Sequence, residues 1–474
     1  MKTKQPVIAV FDIGKTNKKM LVFDERYQLV LEESTNFAEV CDEDGFPCED
    51  IDALNAWILQ HVQWLRQSEV FLLKAINFST YGASLVYLDR NGKRIAPLYN
   101  YLKPYPEDLL AQFQARHGHK EKIAAETSSP IMGHLNAGLQ VYWFKHCRPE
   151  LYKELHTVLH FPQYLSYQLT GNIFAEITNV GCHSAIWDFQ SKAYHKWLEQ
   201  EGLHAKLLPV VRGNHATLLR SEGETEIMVG IGLHDSSAAI IPYLLSFKDP
   251  FVILSTGTWT ISLNPFNKEL PKSEELQSGC LSYLTYTGEP VKTSMLFAGN
   301  DHDQQVNRIA THFNVPPDYF KSLSYDPGWA DASNQTSDPE GPVDGNSRYY
   351  SPTDPCAFHL RPLGAFQSAA HAYHQLIRDM INRQASATRM VINKKNLMNI
   401  YVDGGFSRNQ IFMQLLADSF SGMHVYSTYM TQGTALGAAL AIHEKWNKQP
   451  LPLSLISLKH WPKSAGMVRA GEII

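Results

Sequence analysis

Paired cysteines, long apolar runs and an excess of either charge are all missing from this sequence of 474 residues. Its six cysteines, Cys41, Cys48, Cys147, Cys182, Cys280 and Cys356, form no C-x-x-C pair and no zinc-like spacing, so they are read as structural or incidental thiols of a reducing compartment. A net charge of -5 without any long run of one sign leaves no electrostatic footprint for nucleic acid or an anionic membrane. A small soluble ligand is the expected partner. The apolar run 7–11 stops at Asp12, too short for a signal segment or a membrane span, and a cytoplasmic protein is expected. No repeat, low-complexity tract, protein-caged metal cluster or nucleophile elbow is evident.

One motif is present only in part. Gly14-Lys15-Thr16 would close a P-loop, but Ala9 stands where that motif needs a glycine, and the following Lys18 to Asp24 reads as a strand rather than a helix. The segment is therefore strand, tight glycine turn, strand, a hairpin that could grip phosphate. The same device recurs over 251–263, where Ser255-Thr256-Gly257-Thr258-Trp259 forms the turn. With 44% hydrophobic residues and this length, two domains are expected, with a boundary near Lys248-Asp249-Pro250 that divides 1–248 from 249–474. Between the hairpins the spacing predicts a helix carrying Ile51, Leu54, Ile58, Val62 and Leu65, strands over 71–78 and 85–89, and helices over 137–147 and 162–169. The second half predicts a surface excursion at 322–354, a helix over 364–389, a strand over 398–402, a helix over 409–420, a strand over 424–427 and a helix over 434–444. Strands and helices alternate in both halves, which means an α/β architecture.

Candidate chemistry sits at the turns. Asp12, at a strand end beside a glycine turn, suits either a turn cap or the magnesium of a bound nucleotide. Backbone N–H groups of the two turns, with the hydroxyls of Thr16, Thr256 and Thr258, could face phosphate oxygens across a cleft. Gly404-Gly405 is a strand-to-helix turn or a bare surface for adenosine, and Asn409 is an N-cap or a ligand contact. The small-residue run from Gly433 to Ala439 is assigned to close helix packing. Asp235, after an apolar strand and before Ser-Ser-Ala-Ala, is a catalytic base or an N-cap, because an unpaired buried carboxylate is costly.

Together, Phe11-Asp12-Ile13-Gly14-Lys15-Thr16-Asn17, Gly232-Leu233-His234-Asp235, Ser255-Thr256-Gly257-Thr258-Trp259, and Asp403-Gly404-Gly405 with Asn409 resemble the FGGY family of carbohydrate kinases. The likeness covers nearly the whole chain and implies two actin/hexokinase-like (ribonuclease H-like) domains flanking a central cleft, the first binding sugar and the second ATP. It implies that Asp12 lies near the metal-bound phosphates, that Gly14, Lys15, Thr16, Asn17, Thr256, Gly257 and Thr258 bracket them, and that Gly404, Gly405 and Asn409 meet the adenosine. Asp235 falls on the family's catalytic base. Thr80-Tyr81-Gly82 and the Gly-Thr-Trp turn look most like the rhamnulose and fuculose kinases. Ser84 stands where rhamnulose kinases carry an acid, and Tyr99-Asn100-Tyr101 where many members pair Arg with Asp. The implied activity is transfer of the γ-phosphoryl group of ATP, with Mg2+, to a primary hydroxyl of a ketose, a deoxyketohexose such as L-rhamnulose or L-fuculose. The sugar is expected among Thr80, Tyr81, Gly82, Ala83, Asn100 and His234, with Asn300 and Asp301 reaching it. A pentulose or glycerol kinase is the nearer alternative; a non-catalytic sugar or nucleotide sensor is the distant one. A monomer or homodimer is expected.

Overall fold

The computed structural model describes residues 3–219, 226–330, 351–392, 399–420, 422–430 and 432–464. Strand Gln5–Ile13 runs antiparallel to Lys18–Asp24, and the amide of Gly14 donates to the Asn17 carbonyl at 2.9 Å to close the turn between them. Alternation along these strands sends Val7, Ala9, Phe11, Met20 and Val22 into one core and Ile8, Val10, Leu21 and Phe23 into another. A sheet covered on both faces needs apolar residues at every position, which explains the continuous apolar run in its central strand. Seven strands form this sheet. Leu29–Thr35 adds at the outer edge, and Phe71–Thr80 lies parallel to Gln5–Ile13 on the other side, followed by Ile227–Gly230 and Leu233–His234. Helix Ile51–Gln67 covers one face through the five apolar residues named from sequence, and the Asp50 side chain caps it by accepting from the Ala53 amide at 2.9 Å.

The second seven-stranded sheet repeats the plan. Strand Phe251–Thr256 pairs antiparallel with Thr260–Asn264 and parallel with Asn399–Gly404, which is in turn parallel to His424–Thr428. Helix Ala369–Val391 starts later than position 364, because Leu363–Ala365 forms a 3-10 turn and Ser368 supplies the cap. Residues 331–350 of the expected excursion lie outside the described residues.

The two halves are stitched by a late element. Helix Gly433–Ala441 lies against helix Asp235–Ser246 so closely that a Cβ on Gly437 would sit 1.8 Å from the Ala238 carbonyl oxygen. Ala435, Ala438 and Ala439 share a core with Ile8, Val10 and Leu233. Asn77 completes the seam: its Nδ2 donates to the Ala438 carbonyl at 2.7 Å, and its Oδ1 accepts from the Gly232 amide at 3.2 Å. The small-residue run is used for packing, and it fixes the start of the Asp235 helix from behind.

Candidate active site

Strand register assembles the site. Asp12 lies opposite Ser79, and Ser79 opposite Leu233; Ile13 lies opposite Thr80, and Thr80 opposite His234. Three parallel strands thus end level with one another, the place where open α/β sheets hold ligands. Asp235 follows at once as the first residue of its helix, with His234 in the cap position. Its carboxylate accepts from the Ser236 amide at 2.6 Å and lies 3.3 Å from Nε2 of His234. The Asp235 side chain keeps 37% exposure inside a recess whose protein density pushes its pKa up. Burial, and then the negative charge of Asp235, push Asp12 up to about 7, against the pull of Lys19. Two carboxylates therefore share one recess and oppose each other's ionisation. Such an oxygen donor pair suits a hard divalent cation.

Beside this pair the chain turns through Tyr81, Gly82 and Ala83. A Cβ on Gly82 would lie 2.9 Å from the His234 ring and 3.2 Å from His183, so only glycine lets the backbone rest on these two rings. Ala83 takes a left-handed φ of 54°, and its carbonyl accepts from Gln140. The Tyr81 hydroxyl donates to buried Glu49 at 3.2 Å. Lys18, also buried, sits 2.8 Å from Glu49 and donates to the Lys15 carbonyl at 3.0 Å. One carboxylate thereby joins the Gly14 turn to the Tyr81 turn. Tyr101 stacks edge-on to Tyr81 at 5.9 Å, and burial followed by the nearby Asp235 charge raises its phenol pKa. Burial, Cys182 and Asp235 do the same to Tyr283.

Four residues expected at the sugar are placed or bonded elsewhere. Asn100 donates to the Pro47 carbonyl at 2.9 Å and accepts from the Leu102 amide at 3.0 Å, so both ends of its amide brace a loop. Asn300 and Asp301 fall in the first turn of helix Ala298–Phe313, and the Asp301 carboxylate accepts from the Cys356 amide at 2.7 Å and from Gln305 at 3.3 Å. That turn abuts the second hairpin, not Tyr81: the Gly299 amide donates to the Thr258 carbonyl at 3.1 Å. Thr80 is buried and its hydroxyl donates to the Tyr81 carbonyl at 2.9 Å, which shapes the turn and leaves no free hydroxyl.

On the nucleotide side, Gly404 has φ 85°, and a Cβ there would meet the Thr256 carbonyl at 1.9 Å, whereas Gly405 is open; both are exposed. Bare backbone is thus presented at the strand ends. The Thr256 hydroxyl, expected at phosphate, instead donates to the Asp403 carbonyl and accepts from the Phe406 amide at 3.0 Å, tying the two turns together. Asn409 is the N-cap: it accepts from the Phe412 amide at 3.0 Å, and its amide donates to the Tyr373 hydroxyl at 2.6 Å. Thr16, Asn17, Gly257 and Thr258 stand exposed at the turn tips, while Lys15 pairs with Glu39 at 2.7 Å. Asp403 accepts from the Gly404 amide at 2.6 Å, and burial pushes it up to about 6.

Sequence reading missed Lys18, Glu49, Tyr101, His183 and Tyr283. It also expected no metal-binding cluster, yet Cys182, His183 and His234 lie buried with ligating atoms within 4.8 Å of one another. Their donors come from segments fifty residues apart, which no linear spacing announces.

Comparison with known proteins fits this geometry. A carbohydrate kinase from Novosphingobium aromaticivorans superposes with a TM-score of 0.76 over 97% of this chain and 95% of that one, at 21% identity. A ligand-bound xylulose kinase from Lactobacillus acidophilus gives 0.76 over 97% and 94%, at 15% identity. The fold is thus the two-domain actin/hexokinase-like one. Sequence profiles of the FGGY carbohydrate kinases match in both halves, the N-terminal domain over residues 7–241 and the C-terminal domain over 360–442. The chain belongs to the FGGY family of carbohydrate kinases and is an ATP-dependent sugar kinase. Among relatives, a rhamnulokinase of Yersinia pestis is 24% identical over 87% of this chain and 85% of its own length. One from Mannheimia succiniciproducens is 24% identical over 98% and 96%. Among the described residues no helix is long and apolar enough to cross a membrane.

Proposed function

We propose that this kinase phosphorylates the primary hydroxyl of a deoxyketohexose of the rhamnulose or fuculose kind, with Asp235 as the general base. The observation that carries the assignment is the shared recess of Asp12 and Asp235 at the level ends of three parallel strands. Asp235 takes the proton of the attacking hydroxyl through the carboxylate oxygen that Ser236 does not occupy. His234 and the backbone of Gly82 and Ala83 orient the sugar. Tyr101, half-buried and backed edge-on by Tyr81, offers apolar ring area that favours a sugar with a methyl group over one with a terminal hydroxyl. That aromatic wall, with relatives named rhamnulokinase, supports a deoxyketohexose over a pentulose or glycerol.

The turns at Gly14 and Gly257 hold the phosphates by backbone N–H groups, and Gly404-Gly405 accommodates the nucleoside. Asp12 is the residue that fits Mg2+, because it is an oxygen donor whose charge is disfavoured by burial and then by the neighbouring Asp235 carboxylate, both of which a divalent cation would offset. When bound, the ion would supply charge neutralisation to the phosphoryl oxygens. The domain boundary is proposed at 248/249, with closure of the two halves excluding water from the transfer.

A panel of ketoses, pentuloses and polyols with MgATP, followed by ADP release, tests the reading. The highest kcat/KM is expected for a 6-deoxyketohexose. A preference for xylulose or glycerol would overturn the sugar assignment, and binding without turnover of any acceptor would favour a sensor.

A further inference from the structure

The neighbourhood of His234 carries a second chemistry. Cys182, His183 and His234 each offer one ligating atom to a common point, all three residues being buried. Two of the three have their other contacts already arranged. His183 Nδ1 lies 2.8 Å from the Leu135 carbonyl, so that nitrogen donates and Nε2 keeps its lone pair, the orientation that an outer carbonyl imposes on metal-bound histidine. His234 directs Nε2 at Asp235, and its Nδ1 is buried without any hydrogen-bond partner. A buried ring nitrogen left unsatisfied is costly, and a cation would satisfy it. The Cys182 thiol donates to the Asn179 carbonyl at 3.2 Å.

We propose that Cys182 Sγ, His183 Nε2 and His234 Nδ1 form a binding site for a thiophilic transition metal, zinc foremost, whose occupancy holds the kinase inactive. One sulfur and two imidazole nitrogens with a fourth position open to water is a zinc-type donor set, and magnesium, which takes oxygen, has no claim on it. One ligating atom of each residue lies within 4.8 Å of the others, so the donors need to close by about 1 Å to reach bonds of about 2.0–2.3 Å. On binding, the Cys182 S–H bond breaks, its proton leaves to solvent and a sulfur–metal bond forms; the two imidazoles bind neutral. With Nδ1 engaged, His234 carries its proton on Nε2 and donates it to Asp235, a carboxylate–histidine–metal chain. That bond falls on the Asp235 oxygen Ser236 already occupies, and the inhibition comes from withdrawing His234 from the sugar. The inhibitory half rests on the role of His234 in the proposed function; the binding half does not.

Cobalt(II) titrated into the metal-free full-length protein serves as the probe, with zinc read by competition. One equivalent should give tetrahedral visible bands and a thiolate charge-transfer band in the near ultraviolet, with release of one proton. Zinc should displace it, turnover should fall with the same midpoint, and a chelator should restore it. Cys182→Ser should keep metal-free turnover, lose the charge-transfer band and weaken zinc by at least about 100-fold, more than loss of an outer partner costs. Cys280→Ser, another buried thiol, should behave as wild type. A wild-type cobalt spectrum lacking the thiolate band, or equal zinc affinity in Cys182→Ser, overturns the site. Tight binding through Cys182 with undiminished turnover overturns the inhibition alone. The wild-type spectrum decides the site even if Cys182→Ser fails to fold.

Discussion

The two glycine hairpins share a backbone plan and differ in what lies beneath them. Under the Gly14 turn runs a buried polar line, Lys15 carbonyl to Lys18 to Glu49 to Tyr81, that ends at the Tyr81–Gly82 turn. Under the Gly257 turn the ties run to backbone: Gly299 abuts it so tightly that a Cβ would lie 2.1 Å from the Gly257 oxygen, and the Thr256 hydroxyl ties it to the Gly404 turn. The first hairpin is thus wired to the Tyr81 turn and the second to the Gly404 turn, the acceptor and nucleotide sides of the proposed site. Identical local motifs take different partners because the next element in each half differs, an aromatic turn in one and a helix start in the other.

The largest effect on this contrast is expected from Lys18→Met, which leaves Glu49 charged, buried and unpaired. Chemical unfolding should show a loss of about 3–5 kcal/mol, the usual consequence of breaking one side of a buried pair. A loss below about 1 kcal/mol would mean that the line is not sealed from water. The Asp12 carboxyl comes next. Its folded pKa of about 7 exceeds the ordinary 3.8, so its contribution to stability is fully present below about pH 4 and is lost as pH rises through 7. The ligand-free protein should therefore lose on the order of 4 kcal/mol from this group by pH 8. Melting curves should show Asp12→Asn more stable than wild type at pH 8, with the difference vanishing in acid. Wild type alone should regain stability with Mg2+.

A smaller effect is expected from Gly299→Ala, which pushes on the second turn only. The KM for ATP should rise by about 10-fold, some 1.4 kcal/mol, while sugar affinity measured by calorimetry stays put; equal losses on both substrates would erase the contrast. Gly257→Ala should change least. The nearest atom to its added Cβ is 3.7 Å away, so the melting temperature should stay close to wild type while ATP binding weakens a few-fold.

Much of this was legible in the chain. Asp12, Asp235 and both hairpins lie within short motifs, where strand, turn and acid appear in order. Lys18 was legible in principle, since it shares strand parity with Met20 and Val22, which face the core; a lysine on that face announces a buried acid somewhere. Its partner Glu49 could not be named, because the loop that delivers it has no periodicity. Sequence assigns Asn100 to the sugar by its place in the family pattern, Asp301 as part of a polar cluster, and Thr256 to phosphate by its place in a glycine turn. Each is instead consumed by backbone groups that only the folded chain brings within reach. The start of helix Ala298–Phe313 was hidden by its polar residues, several of which are buried and paired internally.

The central claim is that Asp235 removes the acceptor's proton in a recess shared with Asp12. Its most direct test is steady-state turnover of Asp235→Asn, with sugar and ATP affinities measured on the same preparation. Asparagine keeps the side-chain volume and still accepts from the Ser236 amide, but it takes no proton. Turnover should fall by about 10²–10⁴-fold with both affinities near wild type, the range expected for loss of a general base. Wild-type turnover with only a small change in melting would show that Asp235 merely supports the start of its helix, and would contradict the account.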